Sequence, residues 1–272
     1  MGSSRPLGDA PDRSYADKLE RFARFAEPEL KKVFSDFALP PGSIALDLGC
    51  GAGLATGWLE GSIGAGGKVV GADLSLPHLQ VASAHHRTLV QSDAGRPAFR
   101  ESVFDFIWSC NTVNHVAEPV AMLARLRGLL RDGGSLALAQ SGFLPEMFFA
   151  WDASLDEAVR TACHRYYRER YGLNSATTTG LRNLLRLLRA AGFARTSART
   201  YVIERTQPLS GADRDYFQTI FEGTWGERIY PFLEQAQVAR LMRNCDPASR
   251  EYCLDRDDFH HVQTLTVCEG RA

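Results

Sequence analysis

The chain has no Cys-x-x-Cys pair. Its six cysteines, Cys50, Cys110, Cys163, Cys245, Cys253 and Cys268, are scattered. That pattern argues against a zinc site and a disulfide framework, and fits reduced thiols in a cytoplasmic protein. No run of about 18 apolar residues occurs, so no membrane-spanning helix is expected. The start, Met1-Gly2-Ser3-Ser4-Arg5-Pro6, lacks the apolar stretch of a signal peptide, and Pro6 stands where N-myristoylation wants Ser or Thr. Blocks of one charge sign are also missing. With 31 basic and 32 acidic residues the formal net charge is -1, which is not the basic footprint of a nucleic-acid binder. There is no internal repeat and no low-complexity tract. What remains is 272 residues, 44% of them hydrophobic. That is enough for a sizeable core and excludes a disordered chain.

Residues 1–14, polar and rich in Gly, Pro and Ser, are expected to be disordered. Over 15–42 apolar residues recur at helical spacing: Leu19, Phe22 and Phe25, then Leu30, Val33, Phe34 and Phe37. Pro28 should split this stretch into two helices, and Pro40-Pro41-Gly42 breaks it before a strand. Over 43–140 strands at 43–48, 68–73, 88–92, 103–109 and 134–140 alternate with helices near 53–62, 76–86 and 117–131. Asp132-Gly133-Gly134 is expected as a turn ending the last helix. Such alternation implies right-handed crossovers and a parallel sheet covered on both faces. The second half changes character. Residues 141–178 read as a helical insertion, opened by a capping box of Ser154 and Glu157. Residues 179–209 supply a helix and a strand, 210–258 a second helical insertion, and 259–272 a final strand.

The segment from Ile44 to Gly53 carries the most chemical information. An apolar strand ends in Asp47-Leu48, and Gly49, Gly51 and Gly53 follow at alternate positions. Alternate glycines allow a sharp turn and let a ligand lie against bare main chain. Asp73 closes the second strand and Asp93 the third, where an open parallel sheet binds its ligands. A dinucleotide loop of the G-x-G-x-x-G type would need glycine at position 54, which is Leu54. No Tyr-x-x-x-Lys pair for hydride chemistry is present either. A nicotinamide-dependent reductase is therefore disfavoured.

Over roughly residues 43–140 these motifs resemble, in order, those of the class I S-adenosylmethionine-dependent methyltransferases. Ala45 to Gly53 is similar to the family's first motif, Asp73-Leu74-Ser75 to its second and Asp93-Ala94 to its third. Phe104 to Ser109 is similar to its fourth strand. Leu129 to Gly134 resembles the turn before its fifth, with Asp132 where proline is commoner. The resemblance implies a Rossmann-like, seven-stranded, mostly parallel sheet with helices on both faces and a helical cap or lid from the insertions. It implies S-adenosylmethionine as cofactor and S-adenosylhomocysteine as product. The Gly49–Gly53 turn would pass under the methionine and ribose, with Cys50 as a small space-filler in it. Asp47 would lie near the cofactor's ammonium, and Asp73 would hold the ribose hydroxyls. Asp93 would accept from the adenine amino group, with Leu74 and Ala94 against the ring. Ser109 or Cys110 would line the methionine end.

A methyl on a sulfonium is already activated, so the enzyme must align a nucleophile and exclude water, with a base only where a proton has to leave. His115, just beyond the fourth strand, is the candidate base, the alternative being that it packs or caps at the next helix. No cluster of Asp, Asn and Glu suggests a metal. The insertions are rich in aromatic residues, and Trp151, Tyr167 and Trp225 are the candidates for a substrate pocket. The expected substrate is a small apolar or aromatic biosynthetic metabolite, methylated on oxygen, carbon or nitrogen. A base-flipping enzyme would carry D/N-P-P-Y/F after the fourth strand, whereas this chain has Ser109-Cys110-Asn111-Thr112. Nucleic-acid and membrane partners are thus not expected, and the chain is expected as a monomer or homodimer. The rival reading keeps the same pocket but transfers no methyl, as a cyclase, pericyclase or regulatory binder.

Overall fold

The computed structural model describes residues 20–86, 88–113, 116, 118–141, 148–149, 152–171, 180–223 and 225–272. The expected disorder over 1–14, His115 and Trp151 lie outside these residues, as does the side chain of Tyr167. The described residues cluster into two units. One runs to Ser141 and adds Gly180–Tyr201 and Thr266–Ala272. The other takes the described residues from Phe148 to Tyr171 together with Val202–Leu265.

In the first unit, residues 20–25 are helical and the chain breaks at Ala26. Helix α1 (Glu27–Phe37) then starts with Pro28 in its first turn, where the missing N–H costs nothing. Its buried face is Leu30, Val33 and Phe34. The Phe34 ring meets Trp108 edge-on at 4.8 Å, and Phe37 lies 4.9 Å from Phe106. Strands and helices then alternate: β1 (Ile44–Leu48), α2 (Leu54–Ile63), β2 (Lys68–Asp73), α3 (Leu76–Ala82), β3 (Leu89–Gln91), β4 (Phe104–Cys110), α4 (Pro119–Leu129) and β5 (Leu130–Ser141). Helix α6 (Gly180–Ala190) follows the second unit's α5 (Ala153–Tyr171). Strands β7 (Arg195–Thr206) and β8 (His260–Arg271) divide their residues between the units. Met122, Leu123, Leu126 and Leu129 of α4 and Leu184 and Leu188 of α6 share one core with Leu46, Ile107, Leu136 and Leu138 of the sheet.

The sheet order is β3-β2-β1-β4-β5-β8-β6, with β7 on β8. Pairings β1·β2, β1·β4, β2·β3 and β4·β5 are parallel. The seven expected strands are all present. An eighth, β6 (Phe148–Phe149), pairs antiparallel with β8 through Val262 and His261. Strand order reverses between β1 and β4, which puts the ligand-binding crevice beyond the tips of those strands. Central strand β1 is almost wholly buried, the reason it reads as an unbroken apolar run apart from Asp47.

Two boundaries differ from the sequence expectation. Helix α3 stops at Ala82 instead of 86, because the chain turns to bring His86 against Glu60, 3.2 Å away. The Asp132-Gly133-Gly134 segment is not a turn between elements. Leu130 already pairs with Phe104, and the ladder resumes at Ser135 opposite Phe106, so the glycines form an irregularity inside β5. Gly133 has φ +78°, and a Cβ on Gly134 would press on the carbonyls of Arg131 and Asp105.

The second unit has its own core. Helix α7 (Gly211–Gly223) buries Tyr216, Phe217, Ile220 and Phe221. Phe217 packs on Phe259 at 5.4 Å and on His261 at 4.7 Å. Trp225 is buried and stacked on Phe221 at 5.7 Å. The shielded Arg205–Asp213 pair at 2.9 Å joins β7 to α7, and the Ser210 hydroxyl also donates to Asp213. Helix α8 (Gln235–Cys245) begins with a capping box of Glu234 and Gln237.

Candidate active site

The site is built on the turn from β1 into α2. All three of its glycines are in the left-handed region, Gly49 at φ +79°, Gly51 at +53° and Gly53 at +87°. A side chain at Gly49 would also collide with the Thr112 hydroxyl, and one at Gly53 with the His86 ring. Gly51 differs: nothing lies within 4 Å of where its Cβ would project. The turn is tied to β2 by main chain, the amides of Gly49 and Cys50 donating to the Ala72 carbonyl at 2.7 and 3.1 Å. Helix α2 opens at Gly53 with no side-chain cap. Its first-turn amides are the kind of donor set that helix N-termini offer a ligand.

Asp73 ends β2 with one oxygen accepting from the Gly51 amide at 2.9 Å and the other from the Ser75 amide at 2.8 Å. The His78 Nδ1 lies 3.5 Å from the oxygen that takes the Ser75 amide, and a carboxylate's about four acceptor positions leave room for a ligand hydroxyl as well. The next residue, Leu74, is 66% exposed, an unusual position for a large apolar side chain and a ready platform for a flat ring. Asp93 beyond β3 is exposed and accepts from the Gly95 amide at 2.7 Å, with Ala94 half-buried beside it.

Asp47 is buried within β1 and accepts from the Thr56 hydroxyl at 2.6 Å. Burial pushes its carboxyl up to about 7, and the nearby Asp73 charge adds to the rise, against the Thr56 hydrogen bond and His86. The two cysteines are less reactive still. Burial raises the Cys50 thiol, and it pushes that of Cys110 up to about 12, so both stay protonated at neutral pH.

At the tip of β4 the Ser109 hydroxyl donates to the Leu48 carbonyl at 2.9 Å, joining β4 to β1. Thr112 donates to the Cys110 carbonyl at 3.0 Å and packs at Gly49. The structure thus brings Asp47, Gly49, Cys50, Gly51, Gly53, Asp73, Ser109 and Cys110 to neighbouring strand tips, with Leu74, Asp93 and Ala94 along β2 and β3. Trp225 belongs to the core of the second unit. Thr56, Thr112 and His86 are further members that sequence reasoning missed, and Asn111 lies next to them just past β4. Asn111 had a usable signal, since asparagine tolerates the left-handed backbone it adopts at φ +53°. Among the described residues no group of three or more His, Cys, Asp or Glu could hold a metal ion. No helix among them is long and apolar enough to cross a membrane.

This sheet order, glycine turn and row of strand-tip carboxylates define a Rossmann-like fold of the class I methyltransferase type. Residues 46–138 match the family described as a methyltransferase domain. That segment is similar to the class I S-adenosylmethionine-dependent methyltransferases. The chain is 29% identical over 137 residues to the methyltransferase GfsG of Streptomyces halstedii, covering 47% of this chain and 48% of that one. Among solved structures, it is similar to phosphoethanolamine N-methyltransferase 2 of Haemonchus contortus with S-adenosylhomocysteine bound. That match has a TM-score of 0.54 at 15% identity and covers 99% of this chain and 61% of that one. It is also similar to the [4+2]-cyclase SpnF, with a TM-score of 0.50 at 17% identity over 89% of this chain and 80% of that one. At these identities the structural likeness is one of fold. The chain spans about half the length of the curated relatives it matches.

The Asp47 environment predicts a pH effect. Its folded pKa lies above that of an unfolded aspartate, so the stability it contributes is full below about 4 and is lost as pH rises through about 7. Chemical denaturation between pH 4 and 8 is expected to show this fall. Asp47→Asn is expected to flatten it, and an unchanged profile would mean that Asp47 ionises normally.

Proposed function

We propose that the chain transfers a methyl group from S-adenosylmethionine to a small, apolar or aromatic acceptor. The observation that carries this reading is the Asp73–Gly51 pair. A strand-tip carboxylate holds open a glycine turn whose central Cα faces free space. The turn fits a nucleoside with an amino-acid tail and no pyrophosphate. In this reading Asp73 accepts from the ribose hydroxyls, Leu74 and Ala94 flank the adenine, and Asp93 accepts from its amino group. Asp47 lies near the ammonium, and Ser109 or Cys110 lines the methionine end. The bound cofactor supplies a methyl already activated on sulfur, so the protein's tasks are alignment and exclusion of water. His115 takes the proton of the acceptor. Trp151 and Tyr167 remain candidates for apolar surface, whereas Trp225, buried and stacked on Phe221, packs the core of its own unit. A cytoplasmic location and a monomer or homodimer complete the reading.

The likeness to SpnF supports a second reading, in which the cofactor binds but its methyl stays in place. Accumulation of S-adenosylhomocysteine across a panel of acceptors separates the two.

Asp73→Ala is expected to weaken S-adenosylhomocysteine binding by about 1–3 kcal/mol, the cost of stranding hydrogen-bonding hydroxyls. Calorimetry with unchanged affinity would remove Asp73 from the site. His115→Ala is expected to slow turnover about a hundredfold or more, with cofactor affinity kept. A two- or threefold effect in a steady-state assay would assign His115 to packing.

A further inference from the structure

The tips of β4 and β5 hold a buried pair of carboxamides that the cofactor site does not use. Gln140, 3% exposed and next to last in β5, donates its Nε2 hydrogen to the Asn111 Oδ1 at 2.9 Å. Asn111, 8% exposed, sits in left-handed backbone just past β4, and its amide donates to the Ala139 carbonyl at 2.9 Å. The other end of Gln140 is not satisfied: its Oε1 is buried with no hydrogen-bond partner. A buried polar atom without a partner costs free energy in the absence of ligand, and native proteins rarely keep one idly. The carboxamide is immobilised by its bond to Asn111, so the acceptor is held in place.

Its position decides what it serves. The cofactor reading occupies the tips of β1, β2 and β3 and reaches the tip of β4 at its methionine end, whereas Gln140 lies on β5, two strands from β1 and beyond β4. The segment after β4 links it to the glycine turn, through Thr112 packed at Gly49 and through Asn111 itself. In the methyl-transfer reading this is the side of the crevice left for the acceptor molecule. A carboxamide oxygen accepts a hydrogen bond at any ordinary pH and takes no proton.

We propose that Gln140 Oε1 is a substrate-recognition point that accepts a hydrogen bond from an O–H or N–H group, so that the acceptor molecule is an alcohol, a phenol or an amine. The inference rests on the methyl-transfer reading above and deepens it, since it selects proton-bearing oxygen or nitrogen over carbon, thioether or other donor-free acceptors. Asn111 is the positioning residue that fixes the Gln140 carboxamide.

The test uses the full chain saturated with S-adenosylhomocysteine. Phenols, benzylic alcohols and anilines are titrated against their methyl ethers and N,N-dimethyl counterparts, with binding read by thermal shift and calorimetry. At least one donor-bearing compound is expected to bind about tenfold or more tighter than its methylated counterpart, the factor a single hydrogen bond supplies. Gln140→Leu is expected to abolish that preference. The variant is expected to bind S-adenosylhomocysteine within about twofold of wild type. No preference in wild type overturns the inference, as does a preference that survives Gln140→Leu. Failure of wild type to bind S-adenosylhomocysteine would instead sink the methyl-transfer reading itself.

Discussion

A single hydrogen bond, from the Gly51 amide to the Asp73 carboxylate, organises the binding end of this molecule. It crosses from the tip of β2 to the turn after β1 and fixes a backbone that only glycine adopts without strain. Around it the constraints interlock. Gly49 leaves room for Thr112 from beyond β4, Gly53 leaves room for His86 from beyond α3, and Ala72 receives two amides of the turn. A side chain at Gly49 or Gly53 would push the turn away from β2 or from the segment after β4. Parallel pairing of β1 with both β2 and β4 is what lets one short turn touch all of these at once.

The electrostatics of the site divide by depth. Asp73 and Asp93 lie toward solvent and hold main-chain amides, so they present acceptors to a ligand. Asp47 is buried deeper on β1, and desolvation holds its proton to about pH 7. A cationic group arriving beside Asp47 would favour its ionised form, so ligand charge and site charge are coupled. The thiols of Cys50 and Cys110 are raised by the same burial and stand aside from the chemistry.

Most of the fold was legible in the sequence because apolar periodicity and glycine placement act locally. The strand at 68–73 matched to the residue, and the break ahead of Pro28 fell where a missing N–H requires it. Legibility failed where long-range contacts decide. Helix α3 ends early because His86 is drawn to Glu60, and β5 starts early because Leu130 finds Phe104 across the sheet. Strand β6 is two residues long and exists only through its pairing with β8. In the site, the acidic residues were visible as strand endings. Thr56 was not, since its role depends on reaching back to Asp47 at 2.6 Å. Gln140 read as one more residue of an apolar strand, and only its unsatisfied oxygen singles it out.

The most direct test of this account is the structure of the full chain with S-adenosylhomocysteine bound. The account requires density for the nucleoside across the tips of β1, β2 and β3, with both ribose hydroxyls on Asp73 and the tail along Gly49–Gly53. Density for the nucleoside at any other place, or a ribose that does not touch Asp73, would contradict it.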